Sequence, residues 1–207
     1  MMGLGQGPEL FAKRCIECDS HRYHSALIVP AIQDLLRETG LSIRELGALG
    51  VNHGPGSFTG IRTGIITIRT MAQFLNLPVQ VFNQFELLAF EHQEPISIYL
   101  DALRGRAYHA ALYFNSSGPV YEQSPVLRHI EASVETGENL LVSTTLASLF
   151  PAEATRFISE ELFTPTRMAS LGATHTEIFT QPWQRVKPLY LQEPSITLKK
   201  QILPHQA

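Results

Sequence analysis

An α/β fold is the class this sequence predicts, and three observations carry it. Strand-like and helix-like runs alternate from Ala48 to about His92. A turn rich in glycine, Gly54-Pro-Gly-Ser-Phe-Thr-Gly60, joins one such strand directly to one such helix. Two cleanly alternating runs, Ile96 to Ala102 and Ala107 to Phe114, then flank Leu103-Arg-Gly-Arg106, as a β-hairpin requires.

Each element has a local reason. Phe11 to Glu17 mixes apolar and polar side chains and reads as a strand, with Asp19 to Arg22 turning the chain. From Ser25 to Thr39, Leu27, Ile28, Ala31, Ile32, Leu35 and Leu36 recur at three- and four-residue spacing, and Gly40 stands where a C-terminal cap belongs. Ser42-Ile-Arg-Glu45 is a capping box that opens a short helical turn. Ala48 to Asn52 reads as a buried strand. After the glycine turn, Ile61, Ile65, Ile68, Met71, Ala72 and Leu75 form one helical stripe that Asn76-Leu-Pro78 ends. Val79 to Phe82 is a short strand, and Asn83-Gln-Phe-Glu86 is a second capping box, starting a helix to about His92.

Beyond the hairpin, whose Gly105 supplies a positive φ, Val120 to Ile130 reads as a third strand and Leu140 to Ser143 as another. Thr144 to Phe150 reads as a short helix. Past Ala152 the pattern weakens, apart from a helix near Pro165 to Leu171. The tail from Val186 to Ile196 reads as extended, because each proline biases its predecessor away from helix.

Composition narrows the function. The chain has 207 residues, 44% hydrophobic and 17% charged, with a formal net charge of −3. That is ordinary for a globular protein with a real core and argues against a broad basic surface, so contact with RNA is expected through a partner. No apolar run approaches the roughly 20 residues of a membrane span, and the first residues lack the regions of a signal peptide, so the cytoplasm is the expected compartment. Cys15 and Cys18 are the only cysteines. With His21 and His24 they would make four zinc ligands on a three-residue rhythm; the competing reading is a plain strand with two reduced thiols, and the expectation is no metal.

The glycine turn suggests phosphate binding, since such strand-to-helix junctions often cradle anions. No Lys-Ser or Lys-Thr follows it, however, and Gly54-x-Gly56-x-x-x-Gly60 misses the dinucleotide fingerprint by one residue. Ser57 and Thr59 read as helix caps rather than nucleophiles, and His53 as a strand-end side chain rather than a base. Thr59, Gly60, Thr63, Gly64 and Thr67 fall on a helical face offset from the Ile stripe. Small side chains there suit either close approach of a partner helix or close packing within the chain.

The stretch Gly54-Pro-Gly-Ser-Phe-Thr-Gly-Ile-Arg62 resembles the signature of the TsaB (YeaZ) family, bacterial subunits of threonylcarbamoyladenosine biosynthesis related to glycoprotease-like proteins. Further resemblances follow in order: His24-Ser25, Gly40-Leu-Ser, Asp101-Ala-Leu-Arg-Gly-Arg-Ala-Tyr108 and Pro188-Leu-Tyr-Leu. The likeness is good over roughly residues 12–115 and thin beyond. It implies an actin-like, sugar-kinase-like (ASKHA) ATPase-type fold of two α/β lobes, here residues 1–94 and 95–207. It also implies a subunit without catalytic residues or cofactor of its own. That subunit pairs with the transferase TsaD, works with the ATPase TsaE through the TsaB–TsaD complex, meets tRNA only through the complex, and can form a homodimer when alone. The interface set it implies is Gly54, Pro55, Gly56, Ser57, Phe58, Thr59, Gly60, Arg62, Thr63, Gly64 and Thr67.

The family begins with a strand ending in Asp-Thr-Ser, followed by a second strand. Met1 to Glu9 contains neither, so the resemblance implies an N-terminal lobe lacking its first strands and little affinity for ATP. The alternative function is a metal- or nucleotide-dependent enzyme of the glycoprotease type.

Overall fold

The computed structural model describes residues 1–15, 24–130, 139–150, 155–158 and 165–192. The chain opens with β1 (Met2–Gln6) and β2 (Glu9–Arg14), an antiparallel hairpin that forms its own two-stranded sheet. The sequence offered no strand at Met1 to Glu9; glycines mask the alternation there, and the pairing partner supplies the order. The second strand lies at Glu9–Arg14 rather than Phe11 to Glu17. Cys15 is exposed with a free thiol, while Cys18 and His21 lie outside the described residues.

Helix α1 (His24–Thr39) follows, with Pro30 inside it. Gly40, at φ +70°, closes it, and the Leu41 N–H donates to the Leu36 carbonyl at 3.1 Å. The Ser42 capping box forms as the spacing demands, the Ser42 N–H donating to Glu45 Oε2 at 2.6 Å and starting a single 3-10 turn.

The first layer combines β3 (Leu49–Asn52), α2 (Phe58–Leu75) and β4 (Val79–Phe82). The strands β3 and β4 run parallel, Leu49 opposite Val79 and Asn52 opposite Phe82. The Ile stripe of α2 packs Ile65 and Ala72 onto Leu49, Val51, Val79 and Val81, with Ile61, Ile68 and Met71 at the margin. Helix α3 (Gln84–Ala89) starts at the Asn83 capping box and ends three residues short of His92. Its Phe85, Leu87, Leu88 and Ala89 are buried.

The second layer is a five-stranded mixed sheet of β5 (Ile96–Asp101), β6 (Arg106–Asn115), β7 (Gly118–His129), β8 (Leu140–Ser143) and β9 (Thr155–Ile158), in the order β7-β6-β5-β8-β9. Three antiparallel strands are extended by two parallel ones. The hairpin turn holds three consecutive residues at positive φ, Leu103, Arg104 and Gly105, with Asp101 Oδ1 accepting from the Leu103 N–H at 2.7 Å. Residues Thr144–Leu149 form a 3-10 helix rather than an α-helix.

The chain then returns to the first layer. Helix α4 (Pro165–Thr174) packs on β1, β2 and β3, and α5 (Thr176–Phe179) leads into β10 (Thr180–Gln181), which pairs antiparallel with β4. One core therefore joins the layers: Phe82, Phe85, Leu87 and Leu88 meet Ile96, Ile98, Leu112, Leu171 and Phe179. The weak pattern beyond Ala152 hid β9, α5 and β10, whose shape comes from distant partners. No helix among the described residues is long and apolar enough to cross a membrane.

Candidate functional site

The glycine turn is built by closing four backbone groups. Asn52 Oδ1 accepts from the Gly54 N–H at 2.9 Å, the His53 N–H continues the ladder to the Phe82 carbonyl, and the Gly54 carbonyl accepts from the Gln84 N–H at 2.8 Å. The fourth tie comes from the C-terminal side: the Leu189 N–H donates to the His53 carbonyl at 2.8 Å. Gly54 sits at φ +119°, and a Cβ there would stand 3.0 Å from Ile61 Cδ1 and 3.2 Å from the Leu189 carbonyl oxygen. Only glycine fits both the angle and the space. The Gly54–Pro55 bond is cis.

Residues 186–191 form a strap across this turn. His53 Nδ1 is 2.9 Å from the Lys187 carbonyl, so the neutral ring carries its proton on Nδ1 and donates it. Burial lowers the His53 pKa, opposed by that hydrogen bond. This fixes His53 as a positioned strand-end residue. Val186 is fully buried in the first-layer core, and Tyr190 stacks on Phe58 with ring centroids 4.8 Å apart.

Ser57 caps α2, its Oγ accepting from the Gly60 N–H at 3.4 Å. Thr59 is no cap; it lies inside the helix, and its carbonyl accepts from Thr63 Oγ1 at 2.7 Å. Thr67 Oγ1 bonds the Thr63 carbonyl likewise, at 2.9 Å. Both hydroxyls are thus satisfied by the helix itself.

The predicted interface residues divide into two groups. Gly54 and Pro55 are buried and shape the turn from beneath. Gly56, Ser57, Phe58, Thr59, Gly60 and Arg62 are exposed, and Thr63, Gly64 and Thr67 are half-buried. A Cβ on Gly64 would meet nothing within 4 Å, and one on Gly60 would touch only the Ser57 side chain. Neither glycine is needed for packing inside the chain. The periodicity missed Ile66 and Phe74, which lie off the stripe and are 56% and 85% exposed. Their signal was apolar residues on a side where a solvated helix carries charge.

Two further polar groups lie apart from this face. Asn83 Nδ2 donates to the Tyr121 hydroxyl at 2.8 Å, which donates to Glu86 Oε1 at 3.1 Å. Burial pushes the Glu86 carboxyl up to about 7. On the five-stranded sheet, His109 Nε2 lies 3.1 Å from Ser97 Oγ, its ring stacks on Tyr99, and its Nδ1 has no hydrogen-bond partner. Burial, with a contribution from the Arg128 charge, lowers the His109 pKa to about 4. Asp101 is engaged in its own turn. No group of three His, Cys, Asp or Glu side chains among the described residues could hold a metal ion.

A protein-family model described as "TsaD: tRNA N6-adenosine threonylcarbamoyltransferase" matches residues 18–118. The tRNA threonylcarbamoyladenosine biosynthesis protein TsaB of Bacillus subtilis is 32% identical over 105 residues, 49% of this chain and 45% of that protein. The TsaB protein of Escherichia coli is 41% identical over 58 residues, 28% of this chain and 25% of that protein. The solved structure of YeaZ from Pseudomonas aeruginosa superposes with a TM-score of 0.64, covering 82% of this chain and 85% of that one at 20% identity. Over about half of its length, this chain is similar to TsaB (YeaZ) proteins. The structural likeness shows that this chain shares its α/β fold with YeaZ. The stretches matched to the curated TsaB proteins span less than half of their length, and the residues covered by the family model, 18–118, include the glycine turn and α2.

Proposed function

We propose that this chain is the TsaB-type, non-catalytic subunit of a tRNA N6-threonylcarbamoyladenosine synthesis complex. It docks a TsaD-type transferase through the outward face of α2. One observation carries the reading: that face combines Gly64 with nothing of the chain above it, Gly60 touched only by the Ser57 side chain, Thr63 and Thr67 hydroxyls already bonded within the helix, and exposed Ile66 and Phe74. A surface of this kind loses little on burial and gains apolar contact, as a helix-to-helix interface needs. The interface set is Gly56, Ser57, Phe58, Thr59, Gly60, Arg62, Thr63, Gly64 and Thr67, with Gly54 and Pro55 holding the turn beneath.

In this reading the chain supplies no reacting group. It presents a rigid helix that orders the transferase, TsaE joins through the complex, and tRNA is met there. Without its partner the same face pairs two copies of the chain. The architecture proposed is the two-lobed ASKHA type, residues 1–94 and 95–207, with an altered start to the first lobe, in a cytoplasmic protein without bound nucleotide. The second reading, a transferase or glycoprotease in its own right, is favoured by the description of the matched family model.

Reconstitution separates the two. The chain, a TsaD-type subunit and a TsaE-type ATPase from the same organism are mixed with tRNA, ATP and threonylcarbamoyl-adenylate, and modified adenosine is measured by mass spectrometry. The expected result is product only when this chain and the TsaD-type subunit are both present. Product from this chain alone would overturn the subunit reading.

A further inference from the structure

The charge distribution along the α2 and C-terminal stretches is one-sided. From Leu46 to Phe85, and again from Ile178 to Gln192, the sequence contains no Asp or Glu, although the chain as a whole is net negative. The same two stretches carry Arg62, Arg69, Arg185 and Lys187. None of these four makes an ion pair among the described residues, whose ion pairs involve only Arg14, Arg37 and Arg167 as cations. Arg69 lies 5.8 Å over the Trp183 ring, and Arg62 lies 6.0 Å from the Phe58 ring centroid. Arg62, Arg185 and Lys187 are exposed.

Aromatic surface accompanies these cations. Phe58 and Tyr190 stack at 22° between their planes while remaining 39% and 45% exposed. The strap holds Tyr190 there through the residues before it, the buried Val186 and the two hydrogen bonds of Lys187 and Leu189 to His53. Stacked aromatics flanked by arginine are the composition that carries binding energy in protein interfaces. Unpaired cations in stretches without carboxylates call for negative charge opposite.

We infer that the strap and the first turns of α2 form one anchor patch, in which Phe58, Tyr190, Arg62 and Lys187 receive an acidic segment of the partner subunit. The inference rests on the docking reading of α2 and extends it: the C-terminal strap becomes part of the contact, and the partner's facing segment carries carboxylates. A protein partner is favoured over RNA because Arg62 stands one helical turn from exposed Ile66, which a phosphate backbone would leave uncovered.

The test is titration calorimetry against the TsaD-type subunit of the same organism, at low and high salt, for Tyr190→Ala, Tyr190→Phe, Arg62→Glu and Gly64→Leu, each checked for its melting temperature. Tyr190→Ala is expected to weaken binding about tenfold and Tyr190→Phe to retain it, since the ring does the stacking. Arg62→Glu is expected to weaken binding at least tenfold at low salt and less at high salt. If Gly64→Leu weakens binding while Tyr190→Ala and Arg62→Glu stay within twofold of the parent, the anchor patch is overturned and the docking reading stands. If none of the three alters affinity, the docking reading falls with it. Loss of tRNA binding by the assembled complex on Arg62→Glu, with subunit affinity unchanged, would overturn the acidic protein segment in favour of RNA. Should Tyr190→Ala unfold, the exposed Arg62 side chain still decides.

Discussion

Glu86 and His109 are buried groups whose protonation pulls stability in opposite directions. The Glu86 carboxyl titrates near 7 in the fold and near 4.5 in the unfolded chain, so the native state holds its proton longer. Its contribution is whole below about 4.5 and is lost as pH rises to 7, by roughly 2–3 kcal/mol. His109 titrates near 4 in the fold against 6.5 unfolded, so the unfolded chain takes the proton first and stability is lost as pH falls from 6.5 toward 4. The two slopes oppose one another between about 4.5 and 6.5. Glu86→Gln keeps a neutral side chain able to bond Asn83 and Tyr121, and is expected to leave stability rising with pH across that window and to be the more stable protein at pH 8. His109→Gln is expected to leave stability falling. Urea unfolding at several pH values checks both, and parallel profiles for the variants would contradict the account. A residue-scale reading of sequence found neither group as titratable, because burial comes from strands far apart, whereas the Asn83–Glu86 capping box that places the carboxyl was legible from its spacing alone.

At the scale of the element, α2 is a helix with two different faces. The Ile stripe was legible in the 3.6-residue period and packs as that period requires. The outward face was legible only as small residues, and Ile66 and Phe74 emerged from exposure. Gly64 lies in the helix interior with open space beside it, so Gly64→Ala is expected to raise the stability of the isolated chain by about 0.5–1 kcal/mol, through reduced backbone entropy in the unfolded state. Unchanged or lower stability by denaturant titration would show that the glycine serves the fold. Gly54→Ala has the opposite sign: a Cβ would press on Ile61 and the Leu189 carbonyl at φ +119°, at an expected cost of about 1–3 kcal/mol. The same strap contact explains why the tail's extended character was readable from Pro188 while its destination was not: local sequence fixes conformation, and only the tertiary hydrogen bonds to His53 fix position.

Across the whole molecule, the elements between Leu49 and Asp101 were foreseeable because each is set by short-range patterns, and their boundaries agree within a few residues. The return of residues 165–191 to the first layer was not, since β10 is two residues long and α4 gains its place from the β1–β2 hairpin. The strap thereby comes from a distant part of the chain to meet the glycine turn and α2 on one surface. If that surface is a docking site, the molecule works by presenting it. The direct measurement is the dissociation constant of the chain and of its Gly64→Leu variant for the TsaD-type subunit of the same organism, with the melting temperature of each isolated chain. An isobutyl group in a packed helix interface costs about 1–3 kcal/mol, roughly a ten- to hundredfold loss of affinity. The account predicts that loss with a melting temperature no lower than the parent's; unchanged affinity in a folded Gly64→Leu chain would contradict it.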